Sequence, residues 1–95
     1  MIDKKLSKII DKWIDYLEIH TVNSYLSDLK FFLEYFSSPD ISLADLKKLE
    51  IRDFRNFFSH RAKVHIQKAS IAREESSIRN FFKWMNNNKI IQNTS

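Results

Sequence analysis

Three histidines, two adjacent glutamates and eleven serines are the side chains of this 95-residue chain best suited to catalysis. His60 and His65 stand five residues apart, which sets them on different helix faces, whereas a metal-ligating pair stands at i and i+4. His20 is far from both in sequence. Glu74 and Glu75 are neighbours and point about 100° apart on a helix, so they do not form a two-carboxylate acid–base site by themselves. No serine sits in a recognisable nucleophile context, and serine abundance without a paired base is no sign of catalysis. The chain has no cysteine, which removes thiolate zinc sites, iron–sulfur clusters and cysteine nucleophiles. It also has no glycine, which removes phosphate-cradling loops, dinucleotide fingerprints and nucleophile elbows. No catalytic residue, metal, cofactor or small-molecule substrate is expected within the chain.

Binding chemistry is better represented. Asn23, Ser24, Ser27 and Lys30 follow Thr21 along the side away from Val22, Leu29 and Phe36. Arg73, Ser77 and Asn80 follow one another at i, i+4 and i+7, with Lys68, Ser70 and Lys83 nearby. Short hydrogen-bonding side chains mixed with Lys and Arg suit phosphates and base edges, because a helix carrying them can approach closely. Any solvated amphipathic face shows a similar mixture. Charge placement adds direction. Residues 1–50 hold seven Lys against nine acids, and residues 51–95 hold nine Lys and Arg against three acids. The net +4 therefore comes from the C-terminal half, which is expected to face a polyanion.

The elements that must position these groups are helices. Leu6, Ile9, Ile10, Trp13, Ile14 and Leu17 mark one face of a first helix over residues 3–19. Val22, Tyr25, Leu26, Leu29, Phe32, Leu33 and Phe36 mark a second, with Thr21 as its cap and Pro39 as its stop. Ser42 and Asp45 have the spacing of a capping box, so a brief helical turn should follow. A third helix is expected from about Ile51 to Arg61 and a fourth from about Ser70 to Asn87, with residues 62–68 the least regular stretch. Asn86, Asn87 and Asn88 tolerate left-handed backbone and are expected to end the last helix without glycine. No strand alternation is present. The expected architecture is all-α, a compact bundle of four helices. Trp13, Leu29, Phe32, Phe57 and Phe82 should be buried. The tail from Lys89 to Ser95 is expected to lack a packing partner. No apolar run exceeds three residues and no signal-peptide pattern opens the chain, so a membrane span is not expected and a cytoplasmic protein is.

Four stretches together resemble a known family. His20 to Leu29 with Phe32 and Leu33 resembles the N-T-x-x-x-Y-x-x-D-L-x-x-F segment of the core-binding domain of tyrosine recombinases. Leu49 to Phe58 is similar to that domain's L-T-x-x-D-I-x-x-F-L helix, and Ser70 to Met85 to its last helix, S-I-x-R-x-L-S-A-L-R-x-F-Y-x-W-L. Ile90 to Thr94 parallels its exit into the catalytic domain, G-L-I-x-x-N-P. The stretches occur in the family's order over nearly the whole chain, with the Xer and phage-integrase branches closest. This sequence departs from the pattern at His20, where Asn or Ser is common, at Glu75 in place of Leu, and at Thr94 in place of proline. An Asn stands for the glycine before the exit.

The resemblance implies an integrase core-binding (SAM-like) fold that clamps double-stranded DNA at a recombination half-site, alongside other recombinase subunits. Residues 1–87 would form this domain, and 88–95 would begin the linker to a catalytic domain outside the chain, so the chain itself is not expected to cut DNA. The implied DNA-binding residues are Thr21, Asn23, Ser24, Ser27, Lys30, Lys68, Ser70, Arg73 and Ser77. Tyr25, Asp28, Phe32, Phe81 and Trp84 are expected to pack and buttress, and Arg79 to serve structure and phosphate equally. The competing reading is a helical protein–protein module without DNA affinity that uses Phe31, Tyr35 and Trp84.

Overall fold

The computed structural model describes residues 3–17, 22–36, 41–64 and 68–91. Five helices follow one another: α1 (Lys4–Tyr16), α2 (Val22–Phe36), α3 (Leu43–Lys47), α4 (Ile51–Val64) and α5 (Lys68–Asn87). Four are long, as the periodicity requires, and the brief turn after the capping box is the short α3. No strand is present among the described residues.

The local chemistry explains the boundaries. The Asp3 carboxylate accepts the Lys5 N–H at 3.2 Å and caps α1. At α3 the capping box closes in both directions: Asp45 N–H donates to the Ser42 hydroxyl at 3.4 Å, and Ser42 N–H donates to the Asp45 carboxylate at 2.9 Å. Asp53 repeats half of this arrangement by accepting the Glu50 N–H at 2.8 Å at the start of α4. The expected cap at Thr21 and the stop at Pro39 lie outside the described residues. Helix α4 runs on to Val64 and α5 begins at Lys68, so most of the stretch expected to be irregular is helical.

Helix α5 is the centre of the molecule, packed against both α2 and α4. Its Ile78, Phe81, Phe82 and Met85 meet Leu6, Ile10 and Trp13 of α1, Leu29, Phe32 and Leu33 of α2, and Phe57 of α4. The five residues expected in the core are all there. Phe32 is the hub of an aromatic cluster, with ring centroids 5.4 Å from Phe54, 5.0 Å from Phe57 and 5.8 Å from Phe82. Trp13 meets Phe81 edge-on at 4.9 Å, a geometry that the ring quadrupoles favour.

The C-terminal end corrects two expectations. Lys89, not one of the asparagines, takes the left-handed conformation, at φ 59°. Its N–H donates to the Asn86 carbonyl at 3.0 Å, and the Ile90 N–H donates to the Met85 carbonyl at 2.9 Å. Together these bonds form a Schellman cap, which places the left-handed residue just after the helix. The Asn88 side chain donates to the Trp84 carbonyl at 2.8 Å instead of hosting the reversal. The start of the tail also has a partner, since Ile90 packs on the core and Ile91 is 2% exposed within it, while residues 92–95 lie outside the described residues.

Two expected outcomes follow from this packing. Phe82→Ala should cost about 3–5 kcal/mol, read as a lower urea midpoint at unchanged slope. A loss below about 1 kcal/mol would contradict the described register of α5. Lys89→Gly should raise stability by about 0.5–1 kcal/mol, because left-handed backbone strains a residue with a Cβ and the extra unfolded-chain entropy of glycine offsets only part of that gain. A destabilised Lys89→Gly would mean that the reversal lies elsewhere.

Candidate nucleic-acid interface

Helix α2 buries one side and presents the other. Leu29, Phe32 and Leu33 face the core, while Asn23, Ser24, Ser27 and Lys30 are exposed. These four are brought together on one face, as the spacing requires. Lys30 lies on the flank toward α1, where it lines a groove with Ser7, Asp11, Leu26 and Leu29. Asp28 lies on the opposite flank, at the seam with α5, and is 1% exposed.

A desolvated carboxylate needs donors, and α5 supplies them. Arg73 grips Asp28 with two parallel bonds, Nε to Oδ2 at 3.0 Å and a terminal nitrogen to Oδ1 at 2.9 Å. The Ser77 hydroxyl lies 2.9 Å from Asp28 Oδ2 and 2.9 Å from the Arg73 carbonyl, so its single proton serves two acceptors. Hydrogen bonding to Asp28 and its negative charge raise the Arg73 pKa above its already high ordinary value, against a smaller opposing effect of burial. The Arg73 side chain is nevertheless 50% exposed. The guanidinium is thus fixed along one edge and open along the other.

This geometry corrects the α5 stripe. Ser77 and Asn80 were expected on a solvent face, yet they line the seam toward α2 and α1, while Arg73 spans the seam and the surface. Ser77 is fully buried and has no surface to offer a ligand. The Asn80 side-chain oxygen accepts the Trp13 indole N–H at 2.9 Å. The exposed stripe of α5 runs through Ala69, Ala72, Ser76, Arg79 and Lys83, with Arg73 exposed at its edge and Ser70 half-buried. The signal was in the spacing: Ser77 precedes Phe81 by four residues and so shares its inward stripe. Thr21 and the Lys68 side chain lie outside the described residues.

A second ion pair lies one residue along α5. Glu74, 3% exposed, receives Arg61 of α4 at 2.7 Å, and the Arg61 guanidinium also sits 4.8 Å from the centre of the Phe31 ring. Sequence reasoning missed this pair, because nothing local marks residues 13 positions apart as partners. Arg79 reaches back to Glu75 at 2.6 Å in an exposed i, i+4 pair, the kind that contributes little. Trp84 is half-buried against Phe81, as the packing role expected of it requires and unlike the exposed aromatic of the competing reading. His60 rests on the Tyr35 ring at 5.2 Å, and His20 and His65 lie outside the described residues. Among the described residues, no group of three His, Asp or Glu side chains could hold a metal ion. No described helix is long and apolar enough to cross a membrane.

The two ion pairs should respond differently to truncation. Arg73→Ala strands the Asp28 carboxylate in the interior and should cost about 3–5 kcal/mol. Asp28→Ala instead leaves a half-exposed guanidinium that water can solvate, and should cost only about 1–3 kcal/mol. Replacing both together with Asp28→Leu and Arg73→Met should leave stability near that of the wild type. Urea unfolding of the three variants checks the order, and equal losses for the two single variants would refute it.

The arrangement matches known proteins. The chain fits the family described as phage integrase, N-terminal SAM-like domain, over residues 10–89. It is similar to tyrosine recombinase XerC of Rickettsia felis, at 34% identity over 94 residues that cover 90% of this chain and 31% of that protein. The XerC proteins of Rickettsia canadensis and Rickettsia bellii are 34% and 35% identical over the same shares. The chain thus spans about a third of the length of these curated relatives. No solved structure matches it. With the family match running from α1 through α5, the chain belongs to the phage-integrase N-terminal SAM-like domains, the helical N-terminal domain of tyrosine recombinases.

Proposed function

We propose that this domain is the DNA-binding arm of an Xer-like site-specific recombinase, gripping one side of a recombination half-site in double-stranded DNA. The observation that carries this reading is Arg73, held by buried Asp28 along one edge and open to solvent along the other, beside the exposed polar face of α2. A guanidinium held in this way has little orientation left to lose, and its free N–H groups suit a phosphate or a guanine edge. Asn23, Ser24 and Ser27 are short enough for α2 to approach base edges closely. Lys30, on the far flank, would reach the opposite backbone as a point charge. Beside Arg73, the small exposed Ala69, Ala72 and Ser76 leave α5 room to approach the duplex. Thr21, Ser70 and Lys68 join the set through the family resemblance, and Ser77 contributes indirectly by holding Asp28.

On this reading the domain works in the cytoplasm with other recombinase subunits, in DNA integration or chromosome dimer resolution. Strand cleavage would belong to another part of the parent recombinase. Incubated alone with supercoiled plasmid carrying its site, the chain should neither nick nor relax it, and a covalent protein–DNA adduct would overturn that division of labour.

Binding is tested by fluorescence anisotropy in low salt, using a duplex selected by the chain from a random-sequence pool. The paired variant Asp28→Leu with Arg73→Met keeps the seam filled and should lose about 1–3 kcal/mol of binding, the range for a good base contact. Lys30→Ala should weaken every duplex alike and reduce the salt slope by about 1. If both variants bind as the wild type does, the proposed face is not the DNA face.

A further inference from the structure

Phe31 interrupts the polar run on the outer face of α2. It is 48% exposed and lies one helical turn beyond Ser27 and Asp28. An exposed phenylalanine is ordinary by itself. This one is held in place: the Arg61 guanidinium sits 4.8 Å from its ring centre, and that guanidinium is tied to buried Glu74 at 2.7 Å. With only 16% of its side chain exposed, Arg61 supports the ring from behind and does not reach outward itself. Glu74 is the sequence neighbour of Arg73, so the supports of the ring and of the open guanidinium converge on the same turn of α5.

We infer that Phe31 is a specificity-determining contact that packs on a thymine 5-methyl group in the major groove, next to the position that Arg73 reads. The inference rests on the DNA-binding reading above and adds a base preference to it. The thymine methyl is the apolar feature of the major-groove edge, and an aromatic ring is one of the side chains that pack on it. A ring already fixed by a cation and a buried carboxylate loses little freedom on binding. The basic character of the C-terminal half, nine Lys and Arg against three acids, favours a polyanion as occupant of the face it adjoins.

The test uses the duplex selected by the wild-type chain, with its thymines replaced one at a time by deoxyuridine, which removes only the methyl group. At one thymine the replacement should weaken wild-type binding about fourfold, the effect of one buried methyl group. Phe31→Ala should bind the parent duplex at least as weakly, be indifferent to that same replacement, and keep the wild-type salt slope because no charge is lost. Its unfolding should stay cooperative with an unchanged slope, the midpoint only modestly lowered by loss of the contact with Arg61. The inference is overturned if Phe31→Ala binds the parent duplex normally, or if it loses the same factor on thymine and deoxyuridine duplexes. Intact DNA binding with loss of self-association in sedimentation would assign the ring to a protein contact and overturn it as well. If the wild-type chain captures no duplex from the pool, the DNA-binding reading itself fails and this inference falls with it.

Discussion

The Asp28 carboxylate lies, almost without exposure, where the two longest helices meet, and much of the structure follows from satisfying it. An apolar seam tolerates small slips, because one methyl group packs nearly as well as another. A buried carboxylate does not. Its oxygens accept from Arg73 and Ser77, and a shift of α5 by one residue would carry both donors away and leave an unpaired charge in a medium of low dielectric. The pair therefore acts as a register pin between α2 and α5. It also joins interior to surface, since the cation that satisfies the buried carboxylate is half-exposed on its other edge.

The second pin works at the same level. Arg61 and Glu74 tie α4 to α5, and the stacking of Arg61 on Phe31 brings α2 into the same tie. Three helices are thus fixed relative to one another near the N-terminal half of α5, while the aromatic cluster around Phe32 fixes them further along. A surface assembled from two helices keeps its shape only if their relative placement is rigid. Here that rigidity comes from charge-assisted bonds of defined direction, not from apolar volume alone.

Most of the helical architecture could be read from periodicity, because burial at 3.6-residue spacing leaves a strong local trace. Leu29, Phe32, Phe57 and Phe82 were recognisable as core from their neighbours on the same stripe. The exposed face of α2 was legible for the same reason. The α5 face was legible only in part: the spacing of Ser77 from Phe81 marks an inward stripe, but Ser77 and Asn80 have the polarity of surface residues until the helices that supply their partners are in place. Polarity reports the need for a hydrogen-bond partner, and it does not say whether water or protein provides it. The Asp28–Arg73 pair joins residues 45 positions apart, and that distance has no signature in spacing. The family motif contained both residues, so the resemblance held information that the physical pattern did not.

The reversal at Lys89 bears on how motion passes through the chain. With Ile91 seated in the core and Ile90 bonded back to Met85, the last described residues are anchored to the bundle and do not trail from a frayed helix end. A pull applied at Ile91 is therefore borne by the hydrophobic interior and the last turn of α5. The domain therefore moves as a rigid lever, and a force at Ile91 turns the polar face of α2 and the open edge of Arg73 as one body.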